Sequence, residues 1–494
     1  MNDGQVRLRV IAGSARGIRL AAPGPGTRPL SDRVKQTLFA ILLVYFLLVN
    51  GWYMLLLLSA GIEMREYVLL ARGRARWRLM GSRVVPSISM LAPAYNEAAT
   101  IAESVRALLA LYYPNLEVVV VNDGSKDETM RVLVETFDLS PIHPIYQKRI
   151  RSRDVVGLYR SRMYPNLVVI DKVNGGKADA LNAGLNFATG ELVCAIDADT
   201  LIEPDSLQRM VRPFLERSDV VAAGGTIRIA NGSIVEGGRV TRARAPRNLL
   251  PGCQVVEYLR AFLFGRLGWN RLGGNLIISG AFGLFRRASM IAAGGYEHAT
   301  VGEDMELALR LRRMGYEQKG PHVIAFVPDP VAWTEAPETA RVLGRQRDRW
   351  HRGLADVLWR HRRVMFNPRY GAMGMVVFPY FVIVELLAPV VEMVGLLGLA
   401  LGLTIGAIDL PFAVLFFLTA YGLGSVLTVM TLVMEEASFH RYDSLRDRLL
   451  LVLTRSEGLR REMEQALGIT IDPDAGSVAS TELYVSVSCS ATMA

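Results

Sequence analysis

The sequence predicts an α/β fold. A mostly parallel β-sheet is covered by helices and inserted between apolar helices long enough to cross a membrane. Three observations predict it. From Ser87 onward, short β-branched runs alternate with stretches of helical period. The stretch Glu191-Leu-Val-Cys-Ala-Ile-Asp197-Ala-Asp199 is an apolar run that ends in two carboxylates. A buried strand reads this way, and open α/β sheets bind ligands at that end of their strands. Finally, Leu38 to Ala60 and Pro411 to Met434 contain no charged residue.

Taken in order, residues 1–36 form a polar extension rich in Gly, Pro and Arg. Residues 37–60 form the first span, in which about 23 uncharged residues would cover about 35 Å as a helix. Residues 61–86 form a basic juxtamembrane segment that carries Arg65, Arg72, Arg74, Arg76, Arg78 and Arg83. The sheet domain covers 87–335. Its predicted strands are 88–92, 116–121, 167–170 and 192–196. Its predicted helices are 100–111, one from Ser125, 177–187 and 305–314. Ser140 to Tyr164 has no clear period and reads as a surface loop. Within 336–370, the basic stretch Pro337 to Arg363, with Trp350 and Trp359, reads as a pair of amphipathic helices at a membrane surface. Residues 371–436 form a second membrane region. Its first part, Gly371 to Ile408, is interrupted by Pro379, Glu385, Pro389 and Glu392, so it predicts a kinked span after an interfacial turn. Residues 437–494 form a tail.

The chain has 494 residues, 51% of them hydrophobic, and a net charge of +9. The arginines cluster beside the spans, so attraction to anionic lipid explains the charge better than nucleic acid does, and no nucleic-acid partner is expected. The loop near Thr404 to Leu410 has no Lys or Arg and is expected outside. That puts residues 61–370 in the cytoplasm. Three scattered cysteines suit reduced thiols rather than a disulfide framework.

Five further motifs accompany Asp197 and Asp199. Tyr95 and Glu97 lie in Ala92-Pro-Ala-Tyr-Asn-Glu97, a loop after the first strand that is able to hold a nucleotide or to be a simple turn. Asp123 ends the second strand in Asn122-Asp-Gly-Ser-Lys-Asp127. Its carboxylate could accept from a uracil or ribose, or Ser125 and Asp127 could simply cap a helix. Lys177 follows two glycines in Asn174-Gly-Gly-Lys177, where a helix start and a cation favour phosphate. Ser279-Gly-Ala-Phe-Gly precedes Glu303-Asp304 at a helix start, where Asp304 is a general-base candidate or a structural cap. Gln346-Arg-Asp-Arg349-Trp350 offers donors and a flat ring for a sugar, or an interfacial anchor. Asp197 and Asp199 share one strand face, and two oxygen donors there can hold Mg²⁺ or Mn²⁺ beside substrate phosphates.

In this order the set resembles the membrane-embedded, processive branch of glycosyltransferase family 2, the cellulose, chitin, hyaluronan and poly-N-acetylglucosamine synthases. The resemblance covers about residues 38–436. It implies a GT-A-like sheet domain and an inverting β-glycosyltransferase. The donor would be a UDP-sugar, the acceptor a growing polysaccharide, and the location the inner (cytoplasmic) membrane. By resemblance Asp123 contacts the nucleotide, Asp199 holds the metal, and Asp197 supports the sugar and diphosphate. Asp304, next to Glu303, is the base. Gln346, Arg349 and Trp350 hold the diphosphate and the acceptor end. Tyr95, Glu97 and Lys177 complete the nucleotide-sugar site. Transfer of a single sugar to a lipid acceptor is the alternative. Residues 6–42 separately resemble the N-terminus of the 16S rRNA guanine-N2 methyltransferases, without that family's catalytic parts. An RNA-binding role would rest on this segment alone. The segment also carries seven Lys or Arg residues ahead of the first span, against the expected charge bias.

Overall fold

The computed structural model describes residues 8–9, 19–20, 30–73, 85–143, 146–197, 200–404, 410–439 and 442. Most of the N-terminal extension, much of the basic segment after the first span, Asp199, and the tail beyond 442 lie outside the described residues.

A short antiparallel pair, Leu8–Arg9 with Arg19–Leu20, precedes a long helix, α1 (Leu30–Gly73). The sheet domain follows with β1 (Ile88–Ala94), α2 (Ile101–Leu109), β2 (Leu116–Asn122) and α3 (Thr129–Phe137). Next come β3 (Leu139–Pro141), β4 (Val155–Ser161), β5 (Leu167–Lys172), α4 (Lys177–Phe187), β6 (Leu192–Ile196) and β7 (Leu201–Ile202). After β8 (Val220–Ile229), α5 (Leu249–Leu259) continues through a π-helical stretch, Arg260–Arg266, to a last turn at Leu267–Arg271. Then come β9 (Phe282–Arg286), α6 (Glu303–Gln318) and β10 (Val323–Thr334). The amphipathic helix α7 (Ala340–Arg360) leads to α8 (Ala388–Thr404) and α9 (Leu410–Ser438).

Ten strands form one mixed sheet in the order β3-β4-β5-β2-β1-β6-β9-β8-β10-β7. Its centre is parallel: β1 pairs with both β2 and β6, and β2 with β5. These strands are largely apolar because both sheet faces are covered. Val118 to Val121 and Val193 to Cys194 are fully buried. One core packs under α2 and α3, and a second under α4 and α6. The chain runs from β1 outward to β2 and β5, then returns to β6 on the other side of β1. That reversal opens the crevice in which such sheets bind ligands.

Three expectations are corrected. Ser140 to Tyr164 is not a plain loop, because β3 and β4 form an antiparallel edge within it. Next to the outermost strand, β4 buries only Leu158 and Ser161, so its alternation is faint in the sequence. The stretch 337–363 is one helix, α7, with a short 3₁₀ turn at Arg362–Val364, rather than a helix pair. Leu343, Arg347, Leu354, Val357 and Leu358 bury one continuous stripe across it. The helix expected from Ser125 begins later, at Thr129, because the Ser125 hydroxyl accepts from the Asn96 N–H instead.

Among the described residues, one helical stretch is long and apolar enough to cross a membrane by itself, Leu47–Leu69 within α1. Met373–Leu386 and Ala388–Gly395 meet the test together, bent by 41°. The helix α9 is tied to the sheet by a buried ion pair. Arg228 of β8, 1% exposed, donates to both carboxylate oxygens of Glu435 at 2.6 Å.

Candidate active site

The loops after β1, β2 and β6 meet at the carboxyl ends of the central strands. The first two are cross-tied: Asn96 accepts from the Lys126 N–H, Glu97 N–H donates to the Thr129 hydroxyl, and Ala98 N–H donates to Asp127. Tyr95 is 45% exposed at the mouth of the site. The Glu97 carboxylate accepts from the Thr100 hydroxyl, 2.8 Å away.

Asp123 is buried just past β2. Its carboxylate accepts from Lys172 Nζ, from the Gly175 N–H at 3.0 Å and from the Gly176 N–H at 2.7 Å. A carboxylate offers about four acceptor positions, so these donors leave room for about one more. Lys172 has no exposed side-chain surface and also pairs with Asp179 of α4 at 2.7 Å. This network fixes the turn that delivers Lys177 to the start of α4.

Lys177 Nζ reaches Asp197 Oδ1 at 2.5 Å and Glu303 Oε1 at 3.6 Å. The Lys177 and Asp197 side chains are 38% and 34% exposed, so a ligand can reach both. Burial opposes the Lys177 charge, but Asp197, Glu303 and Asp304 outweigh it and hold its pKa above the ordinary value. Glu303 moves the other way. Burial, then the neighbouring Asp304, push its pKa up against the pull of Lys177.

Asp304 caps its own helix lightly, with Oδ1 accepting from the Met305 N–H at 2.8 Å. Gly280 faces its other oxygen: a Cβ there would lie 3.0 Å from Asp304 Oδ2 and 3.3 Å from Lys177 Nζ. The bare glycine thus leaves open the space between base candidate and cation. Arg266, from the π-helical stretch, adds a cation whose field reaches Asp304; burial lowers its pKa to about 10, against the pull of that carboxylate.

Helix α7 is docked beside this cluster at three points. Arg347 forms a buried pair with Glu257 of α5. Gly353 meets Gly302 backbone to backbone, next to Glu303. At the far end, His361 lies 3.2 Å from Glu306 of α6, one turn beyond Glu303. Gln346 and the half-buried Trp350 are one turn apart on this helix, whereas Arg349 is exposed.

The structure therefore brings Asp123, Lys177, Asp197, Glu303 and Asp304 to one end of the sheet, with α7 alongside. Asp199 lies outside the described residues, and among those described no group of three or more His, Cys, Asp or Glu is arranged to hold a metal. Sequence reasoning missed Lys172, Asp179, Gly280, Arg266 and Arg347. Lys172 carried a signal, since a lysine ending an apolar strand needs buried partners.

Comparison with known proteins gives two family matches. The family described as "Glycosyl transferase family 2" matches residues 89–292, and "Glycosyl transferase family group 2" matches 192–428. The chain is 29% identical over 276 residues to a poly-beta-1,6-N-acetyl-D-glucosamine synthase of Staphylococcus epidermidis, covering 56% of each chain. It is 29% identical over 315 residues to a probable glycosyltransferase, YdaM, of Bacillus subtilis, covering 61% of this chain and 63% of that one. The chain thus matches little more than half the length of these curated relatives. Among solved structures, a mannosyltransferase from Pyrobaculum calidifontis, in complex with GDP-Man and Mn²⁺, is 20% identical with a TM-score of 0.47. That likeness covers 84% of this chain and 99% of the other. The two family matches run together from 89 to 428, across the GT-A-like sheet and onto the helices beyond it. Across residues 89–428 the chain belongs to glycosyltransferase family 2.

Proposed function

We propose that the protein is a membrane-bound inverting β-glycosyltransferase that passes a sugar from a UDP-sugar to a growing polysaccharide. The observation that carries the reading is the juxtaposition of Lys177, Asp197, Glu303 and Asp304 at the ligand-binding end of the sheet, with α7 docked on Gly302.

In this reading Asp304 takes the proton of the acceptor hydroxyl. The freed oxygen attacks the anomeric carbon from the face opposite the diphosphate, the bond to UDP breaks, and the configuration inverts. Lys177 stabilises the negative charge that grows on the departing diphosphate. The network of Lys172, Asp123 and Asp179 holds the lysine's loop rigid, and Asp123 keeps one acceptor position for the nucleotide. Tyr95 and Glu97 border the nucleotide. Gln346 and Arg349 approach the diphosphate, and Trp350 stacks on the acceptor.

Asp197 and Asp199 would hold Mg²⁺ or Mn²⁺. The donor set fits, because these ions take oxygen ligands, often one or two carboxylates plus substrate phosphates. Three carboxylates surround one lysine, and the upward shift of Glu303 reflects burial together with that excess negative charge. The bound ion would neutralise the leaving diphosphate.

Membrane attachment is supported by rows of exposed apolar side chains: Leu47, Leu48, Leu58 and Ile62 on α1, Leu397 and Leu401 on α8, and Val429 and Val433 on α9. Exposed apolar rows of this extent suit lipid. In this reading the sheet domain faces the cytoplasm at the inner membrane.

The experiment is product analysis from membrane vesicles given radiolabelled UDP-sugars, beginning with UDP-N-acetylglucosamine, the donor chemistry the relatives' names point to. Labelled, β-linked, non-lipid polymer is expected. A product carrying one sugar on a lipid would replace this reading with single transfer.

A further inference from the structure

Between Gln346 and Arg349 lies Arg347, a residue the family motif leaves without a role in the reading above. It is 2% exposed, and it meets Glu257, 6% exposed, through two contacts. Nη1 reaches Oε1 at 2.5 Å, and Nη2 donates to Oε2 at 2.6 Å. One of these is a hydrogen bond and the other a close ionic contact, and together they hold the guanidinium against the carboxylate. The same guanidinium carbon stands 4.8 Å from the centroid of the Trp350 ring, three residues along the helix. That distance lies within cation–π range.

These two contacts together have a geometric consequence. An indole has two broad faces, and a cation held over one leaves the other for a ligand. Glu257 belongs to α5, a different element from α7, so the orientation of the ring is referred to the sheet domain rather than to its own helix. The ion pair alone could be explained as helix docking. The contact with Trp350 adds to that docking pair the ring proposed to stack on a sugar.

We infer that Arg347 is a positioning residue: paired with Glu257, it holds the Trp350 ring in the orientation in which an acceptor sugar stacks on it. This rests on the acceptor role proposed for Trp350. The effect passes through the ring, so it should alter acceptor handling and leave donor binding alone.

The test uses the full chain in detergent or vesicles. Removing Arg347 alone would strand a buried carboxylate, so the decisive variant replaces both partners, Arg347→Met with Glu257→Leu, an exchange that often preserves folding. Ring order is read by fluorine NMR of protein labelled with 5-fluorotryptophan, the Trp350 signal being assigned by its loss in Trp350→Phe. Chain length is read from polymer made with UDP-N-acetylglucosamine, and donor binding from UDP affinity.

The paired variant should fold, bind UDP within about 2-fold of wild type, and show a shifted or broadened Trp350 signal. Its mean product length should fall about 5-fold, a size that a desolvated cation–π contact supports. Introduced into Trp350→Ala, the same pair should cause no further shortening. An unmoved fluorine signal, or wild-type chain length in the paired variant, overturns the inference. Further shortening in the Trp350→Ala background also overturns it, because Arg347 would then act independently of the ring. Wild-type length in Trp350→Ala itself removes the acceptor role. The fluorine signal separates that failure from a failure of Arg347 to hold the ring.

Discussion

Gly353 meets Gly302 so closely that a Cβ on Gly353 would stand 3.2 Å from the Gly302 nitrogen. This is the point where the helix carrying Gln346 and Trp350 touches the turn that leads into Glu303 and Asp304. In an ordinary helix interior, Gly→Ala stabilises by up to about 1 kcal/mol. Here the added methyl must push the helix or the loop by a few tenths of an ångström. Gly353→Ala should therefore leave the melting temperature near wild type and lower kcat about 10-fold, since small misplacements at a reacting centre are costly. Initial rates and thermal unfolding of the same preparation check this. Unchanged kcat would show that the contact does not set the geometry of the site.

Glu303 should cost stability at neutral pH. Its folded pKa is raised above the ordinary 4.5, first by burial and then by Asp304. The folded state therefore binds this proton more tightly than the unfolded state does. Stability is lost as pH rises from 4.5 through the raised value, and the loss persists above it. Glu303→Gln should melt higher than wild type at pH 7 to 8, with the difference vanishing below about pH 4, while transfer is impaired. A lower melting temperature at pH 7 would mean that the pairing with Lys177 outweighs burial and Asp304.

Lys172→Met should damage the donor site from beneath. Two buried carboxylates, Asp123 and Asp179, would lose their shared cation. Breaking such a buried arrangement typically costs about 3–5 kcal/mol. UDP affinity should fall with stability, because the Gly175-Gly176 turn loses its anchor. Normal UDP affinity in a folded variant would confine Lys172 to a purely structural role.

Asp304→Asn should retain UDP binding and lose transfer, because an amide cannot accept the acceptor's proton. Excess EDTA should likewise stop turnover, and added Mg²⁺ or Mn²⁺ should restore it. Full turnover in EDTA would remove the metal from the mechanism. Loss of UDP binding in Asp304→Asn would make the residue part of the nucleotide site.

The parallel centre of the sheet was legible because Val118 to Val121 and Leu192 to Ile196 are buried on both faces, and such strands announce themselves as continuous apolar runs. Asp197, Lys177 and Glu303 were legible as motif members, each beside a glycine or at a strand end. Their convergence on one lysine was not, since it depends on how β6, α4 and α6 pack. Strand β4 stayed hidden because a strand with two buried residues has little pattern to show. Arg347 looked like one more surface arginine in a basic stretch. Only Glu257, distant in sequence, reveals it as buried.

The clamp between Arg228 and Glu435 bears on how the protein is made. The two residues are separated by 207 positions. At typical ribosomal speeds of about 5–20 residues per second, Glu435 emerges on the order of 10–40 s after Arg228. Throughout that interval the nascent sheet holds a guanidinium whose partner has not been synthesised. Strand β8 cannot close its interior early, and the enzyme domain reaches its final form only once α9 has arrived. Ribosomes stalled before residue 435 should therefore carry a protease-sensitive domain, and those stalled well beyond it a resistant one.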